Sequence, residues 1–224
     1  MKKTALIFGA TGLVGNLCLE MLVVSNLYSK IIVLSRKQIT PSLLNVENII
    51  IDFENLEAIK NSIRADDVFC AMGTTITKAG SQENFTKIDY EFPLQVAQIA
   101  KQNGAKNFIL VSAIGADSKS KVFYNRTKGK LEDALEKLNY ESLIIFQPSI
   151  LLGEREDFRF AEMIGKNLFK GLSFVFVGKL KPYKGIEAKT IAKAMVVKAI
   201  KPSQKVERLT YKEISLSAEK YGNW

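Results

Sequence analysis

The chain has 224 residues, 47% hydrophobic and 25% charged, an ordinary globular composition that excludes disorder, collagen and coiled coil. Its 32 Lys and Arg outweigh 23 Asp and Glu for a net charge of +9, but the basic residues are scattered as a solvated surface and no nucleic-acid recognition motif accompanies them. There is no histidine and there are only two cysteines, Cys18 and Cys70, so Ser-His-Asp and Cys-His mechanisms, His-ligated metals and zinc clusters all drop out, and a reducing cytoplasm is the expected compartment.

Apolar β-branched runs alternate with helix-period stretches. Lys3 to Phe8 predicts strand one, and Leu13 to Ser25 predicts helix one. Met1-Lys2-Lys3 before an apolar stretch imitates a secretory signal, but three glycines and the lack of a small-x-small cleavage site place it in the fold. Strands are expected over Lys30–Ser35, Glu47–Asp52, Asp67–Met72, Lys106–Ser112 and Ser142–Gln147. Helices are expected over Leu56–Ile63, Asn84–Asn103 and Ser120–Leu138. Continuous apolar strands joined by such helices predict a doubly wound, mainly parallel α/β sheet of Rossmann type. Its ligand should lie at the carboxyl ends of the strands, near the switch in strand order.

After Pro148 the pattern changes. Leu151–Gly185 reads as loop with a helix over Phe158–Leu168, followed by a helix over Ala188–Ile200, a strand over Val206–Tyr211 and a last helix over Glu213–Tyr221. Residues 1–155 are therefore expected to form the nucleotide-binding core. Residues 156–224 should pack on it as a small substrate cap, in a single domain. Phe158, Phe160, Phe169, Phe174 and Phe176 suit core packing more than a pocket wall. No apolar run approaches the roughly 20 residues needed to span a bilayer.

The strongest local signal is Gly9-Ala10-Thr11-Gly12-Leu13-Val14-Gly15 at the junction of strand one and helix one. Gly9 permits a tight turn, Gly12 lets the backbone approach a pyrophosphate, and Gly15 allows close helix packing. The first N–H groups of the helix have no intrahelical partners, and its dipole favours an anion there. Gly9, Thr11, Gly12, Leu13, Val14 and Gly15 are thus expected to hold a dinucleotide. NAD sites usually place a carboxylate about 20 residues further on. Here strand two ends in Ser35-Arg36-Lys37. A guanidinium there can grip a 2′-phosphate in a bidentate fork, so NADP(H) is the expected cofactor, with Arg36 as the main discriminator. Asp52 and Phe53, after strand three, sit where an adenine would be held.

Ser112 ends strand five, and Tyr124 and Lys128 follow on a helix, four residues apart and hence on one face. Both are expected to point at the space above Ser112, beside the strand-four loop Ala71-Met72-Gly73-Thr74. A phenol is a poor base at neutral pH, and a nearby ammonium lowers its pKa. Tyr124 would then transfer the proton, Ser112 would hold a carbonyl oxygen, and Lys128 would also bind the nicotinamide ribose.

Together with Gly9-Ala-Thr-Gly12, the segments Cys70-Ala-Met-Gly-Thr-Thr75, Lys78-Ala-Gly80, Val111-Ser-Ala-Ile-Gly-Ala116, Tyr124-x3-Lys128-Gly129 and Gln147-Pro-Ser-Ile-Leu-Leu-Gly153 carry a family resemblance. The chain resembles the atypical branch of the short-chain dehydrogenase/reductase superfamily, in particular the Tat-interacting-protein-type NADPH-binding proteins. The resemblance implies a Rossmann fold, NADP(H) binding, a Ser112/Tyr124/Lys128 site, and Pro148 and Ile150 beside the nicotinamide. Two departures stand out. Glutamine and serine flank Pro148 where relatives often have Arg-Pro-Gly, and the superfamily's fourth catalytic residue, an asparagine, has no clear counterpart near Lys87-Ile-Asp89. The first expectation is an oxidoreductase of carbonyl-reductase or alcohol-dehydrogenase type, acting on a small molecule without a metal or membrane insertion. The alternatives are an NADPH-binding regulatory protein with a protein partner and little turnover, or a nucleotide-sugar epimerase-like enzyme.

Overall fold

The computed structural model describes residues 2–39, 45–153, 184–203 and 205–223, with the side chains of Phe53 and Glu54 left out. A seven-stranded sheet, parallel at every pairing, forms the centre. Its strands are β1 (Lys3–Phe8), β2 (Tyr28–Ser35), β3 (Val46–Ile50), β4 (Asp67–Cys70), β5 (Asn107–Val111), β6 (Ser142–Phe146) and β9 (Val206–Leu209), in the order β3-β2-β1-β4-β5-β6-β9. A two-residue pairing of β7 (Leu151–Leu152) with β8 (Ile186–Glu187) stands apart.

The apolar strands are buried on both faces. Along β1, Ala5 and Ile7 join one core cluster while Leu6 and Phe8 join the other. The first face is covered by α1 (Leu13–Ser25), α6 (Ala188–Ile200) and α7 (Tyr211–Ala218), through Leu22, Ile191, Met195 and Ile214. The second is covered by a kinked 3-10 segment (Phe53–Ser62), α4 (Phe92–Gln102) and α5 (Phe123–Glu136), through Leu56, Val96, Ala100 and Leu131. The expected C-terminal helix starts two residues early, at Tyr211, because Thr210 and Glu213 form a capping box. The helix over Phe158–Leu168, the five phenylalanines from Phe158 to Phe176 and the first part of the expected cap lie outside the described residues.

One element departs from expectation in a way that matters for the site. The stretch expected as a single helix over Asn84–Asn103 is broken into α3 (Gln82–Thr86), a π turn (Lys87–Glu91) and α4. Pro93 has no N–H to give the carbonyl of Asp89, and the Phe92 N–H reaches back five residues to Lys87. The wider turn carries Asp89 into the interior, where it is fully buried. Just before α3, the short helix α2 (Ile76–Ala79) leads on from the β4 loop.

Strand order reverses between β1 and β4. The glycine loop after β1 and residues 71–74 after β4 therefore border the crevice in which ligands of open α/β sheets bind.

Candidate functional site

The glycine loop is built as its residue types demand. Gly9 has φ +82°, and a Cβ there would lie 2.4 Å from the backbone of Ala71 and Met72, so the first turn lies directly against the β4 loop. A Cβ on Gly15 would come within 2.1 Å of the Gly9 carbonyl oxygen. Gly12 differs: an added Cβ would meet Gly9 O at 3.3 Å and Ala71 O at 4.0 Å and nothing nearer. α1 begins there with no side-chain cap and no acidic residue in its first turn, as an approaching pyrophosphate would need. These features fit a dinucleotide phosphate.

At the end of β2, Arg36 and Lys37 are exposed. Their turn is held from beneath by Ser35, whose hydroxyl donates to the Lys37 carbonyl at 2.7 Å and accepts from Asn48 Nδ2 at 2.7 Å. Asn48 also accepts from the Ile39 N–H at 2.7 Å. The Ile51 N–H donates to Ser35 O at 2.9 Å, so exposed Asp52 lies at the same end of the neighbouring strand. The Phe53 side chain lies outside the described residues.

Across the crevice, α5 presents Tyr124 and Lys128. The Tyr124 ring is set by Phe85 of α3, with centroids 5.5 Å apart. Lys128 is buried, and its Nζ lies 2.7 Å from Oδ1 of fully buried Asp89, a close ion pair. The other oxygen, Oδ2, accepts from the Thr74 N–H at 2.9 Å, tying the π turn to the β4 loop. Gly73 covers the pair so closely that a Cβ would lie 3.3 Å from both Asp89 Oδ1 and Lys128 Nζ. Burial pushes the Lys128 ammonium down, but the Asp89 carboxylate more than offsets it and holds Lys128 above the usual lysine range. Tyr124 behaves contrary to the sequence argument. Burial raises its phenol, Lys128 lowers it, Asp89 raises it again, and the balance lies above the ordinary tyrosine value.

Ser112 belongs to a second network. Its buried hydroxyl donates to Glu132 Oε1 at 2.5 Å. Glu132, also buried, accepts from Gln147 Nε2 at 3.0 Å and from Arg208 Nε of β9 at 3.1 Å. Tyr124, Lys128 and Glu132 follow one another at four-residue steps along α5, so Lys128 meets Asp89 while Glu132, one turn on, takes Ser112. The Pro148 carbonyl accepts from the Ile114 N–H at 2.9 Å, and the Ile150 carbonyl from the Ile186 N–H at 2.8 Å, which places both beyond the end of β6. Among the described residues no cluster of His, Cys, Asp and Glu could hold a metal.

A family profile described as NAD(P)H-binding matches residues 9–147, from the first glycine to the end of β6. The chain belongs to the NAD(P)H-binding family. Within it, the chain is 32% identical to Protein HTATIP2 of Rattus norvegicus over 217 residues, covering 95% of this chain and 88% of that one. It is 40% identical over 158 residues to Protein FMP52, mitochondrial, of Candida albicans, covering 67% and 68%. Together they identify an atypical short-chain dehydrogenase/reductase of HTATIP2 type. Among solved structures, the Bordetella bronchiseptica enzyme WbmH in complex with NAD+ superposes with a TM-score of 0.69 at 16% identity, over 93% of this chain and 76% of that one. UDP-glucose 4-epimerase of Thermotoga maritima gives 0.66 at 17%, over 98% and 82%. At those identities the likeness is one of fold.

In this NAD(P)H-binding chain three polar residues escaped the sequence reading. Asp89 was noted only as the place where an asparagine was lacking, and a regular helix gives no sign that its carboxylate turns inward. Glu132 continues the Tyr124, Lys128 spacing by one more step of four, a signal that was available. Asn48 carried none, since its role depends on how β3 pairs with β2.

Proposed function

We propose that the chain is an NADP(H)-dependent oxidoreductase that interconverts a carbonyl and an alcohol on a small molecule, with Tyr124 as the proton-transfer group. The observation that carries this reading is the buried Lys128–Asp89 ion pair beside Tyr124, at the carboxyl ends of the strands, where the glycine loop also ends. A bound nicotinamide would supply the hydride. Preference for the 2′-phosphate rests on Arg36 and Lys37, exposed on a turn braced by Ser35 and Asn48 and carrying no carboxylate. In this reading Asp52 and Phe53 flank the adenine. Ala71, Met72, Gly73 and Thr74, with Pro148 and Ile150, flank the nicotinamide end.

The chain's own groups then divide the work. Lys128 binds ribose hydroxyls, and Tyr124 gives a proton to the oxygen of a carbonyl as it is reduced. Ser112 has its proton committed to Glu132, so toward substrate it serves as an acceptor for a hydroxyl. The two free cysteines, both buried, suit a reducing compartment such as the cytoplasm, although FMP52 relatives are named mitochondrial.

The test is NADPH oxidation against a panel of aldehydes, ketones and quinones. Turnover of at least one of them, lost in Tyr124→Phe, is the expected result. NADPH binding with no turnover across the panel would favour a regulatory, partner-binding role.

A further inference from the structure

We propose that Asp89 is a positioning residue that tunes the proton affinity of Tyr124: by pairing with Lys128 inside the crevice, it offsets part of the ammonium's pull on the phenol and so favours the protonated, proton-donating form. This rests on the oxidoreductase reading for its functional meaning, but its electrostatic core stands on the geometry alone.

An ammonium beside a phenol normally favours the phenolate, because the two opposite charges attract in a medium of low dielectric. Here Lys128 spends that field on a nearer partner. Asp89 Oδ1 lies 2.7 Å from Nζ, and both groups are buried, so little water screens the pair. Seen from Tyr124, the pair is a dipole rather than a cation. The carboxylate is held in place by the Thr74 N–H on its other oxygen and by Gly73 packed over it. Among the described residues, the other groups packed here are uncharged. Phe85 and Phe123 pack against one another, with Phe85 on the Tyr124 ring, and Cys70 at the end of β4 is a thiol pushed by burial up to about 12, hence neutral. Burial is the largest influence on the Tyr124 phenol and raises it; Lys128 lowers it, and Asp89 takes back part of that lowering. An asparagine at position 89 would hold the loop but leave the cation unopposed.

In reduction, a bound nicotinamide would supply the hydride for the new C–H bond as the C=O π bond breaks. The Tyr124 proton forms the O–H bond, and the resulting phenolate recovers a proton from solvent.

The experiment is NMR of the protein labelled with ring-13C tyrosine, Tyr124 being assigned by its loss in Tyr124→Phe. The measurement runs over the pH range in which circular dichroism shows a folded chain. In the unaltered protein Tyr124 is expected to remain protonated to the alkaline end of that range. In Asp89→Asn it should titrate at least about one pH unit lower, the usual scale for removal of a close charge, and Asp89→Glu should restore the original behaviour. A Tyr124 signal that titrates at the same pH in the unaltered protein and Asp89→Asn would overturn the proposal. So would an Asp89→Glu chain, folded by the same criterion, that fails to restore it. No substrate enters this measurement, so it succeeds or fails independently of the oxidoreductase reading.

Discussion

Tyr124 and Arg36 carry the sharpest tests of the individual side chains. Tyr124→Phe removes a hydroxyl while keeping the ring against Phe85, so cofactor affinity should hold while turnover falls by about 10²-fold or more. Equal turnover in both proteins would move the proton source to water or another group. Arg36 is exposed and packs into no core cluster, so Arg36→Ala should leave the fold alone. Calorimetry should show NADPH binding at least about tenfold tighter than NADH in the unaltered chain, with most of that ratio gone in the variant. Comparable affinities at the outset would remove the 2′-phosphate assignment. The turn beneath Arg36 depends on Asn48, whose two hydrogen-bonding ends grip opposite sides of it.

The junction of β1 and α1 offers a contrast between two glycines three residues apart. Gly12→Val brings its Cβ to 3.3 Å from the Gly9 carbonyl oxygen, a tight contact but far milder than at Gly15, so the chain should stay folded yet lose nucleotide binding. Gly15→Ala places a methyl 2.1 Å from the Gly9 carbonyl, and the backbone must shift, at a cost of about 1–3 kcal/mol in denaturant unfolding. Normal NADPH affinity in Gly12→Val would make the loop structural only. This junction was legible beforehand because its signals are local: an apolar run, glycines and a helical period, all within 25 residues. The π turn was not. Pro93 is a sign of a break, since proline gives no N–H to an interior turn, but it does not say that the turn will widen and carry Asp89 inward. The Ser112–Glu132–Arg208 network was partly legible: the four-residue step from Lys128 to Glu132 lies in the sequence, but Arg208 comes from β9, 76 residues away.

At the scale of the whole molecule, buried tyrosines govern the response to alkali. Burial raises Tyr28, Tyr124 and Tyr140 above the ordinary tyrosine value, with Asp67 adding to the effect at Tyr28. In the unfolded chain these phenols lose their protons near pH ~10, while the folded chain still holds them. Their contribution is thus fully present below about pH 10 and is lost as the pH climbs toward the folded values. Lys128, held above the usual lysine range, acts in the same sense. The melting temperature should fall steadily from about pH 10 upward, and a value unchanged to about pH 12 would contradict the assignment. The position of β9 bears on how the molecule forms. Arg208 is 76 residues from Glu132, and β9 pairs with β6 from more than 50 residues further along. Such a closure is entropically late, since distant segments must meet before their contacts repay the loop. The nucleotide cradle, by contrast, is drawn largely from the first 75 residues, with β2 and β4 as its neighbours. A refolding chain should therefore recover affinity for the dinucleotide before it can frame Ser112, and an intermediate able to hold cofactor but not to use it is the natural waypoint of this topology.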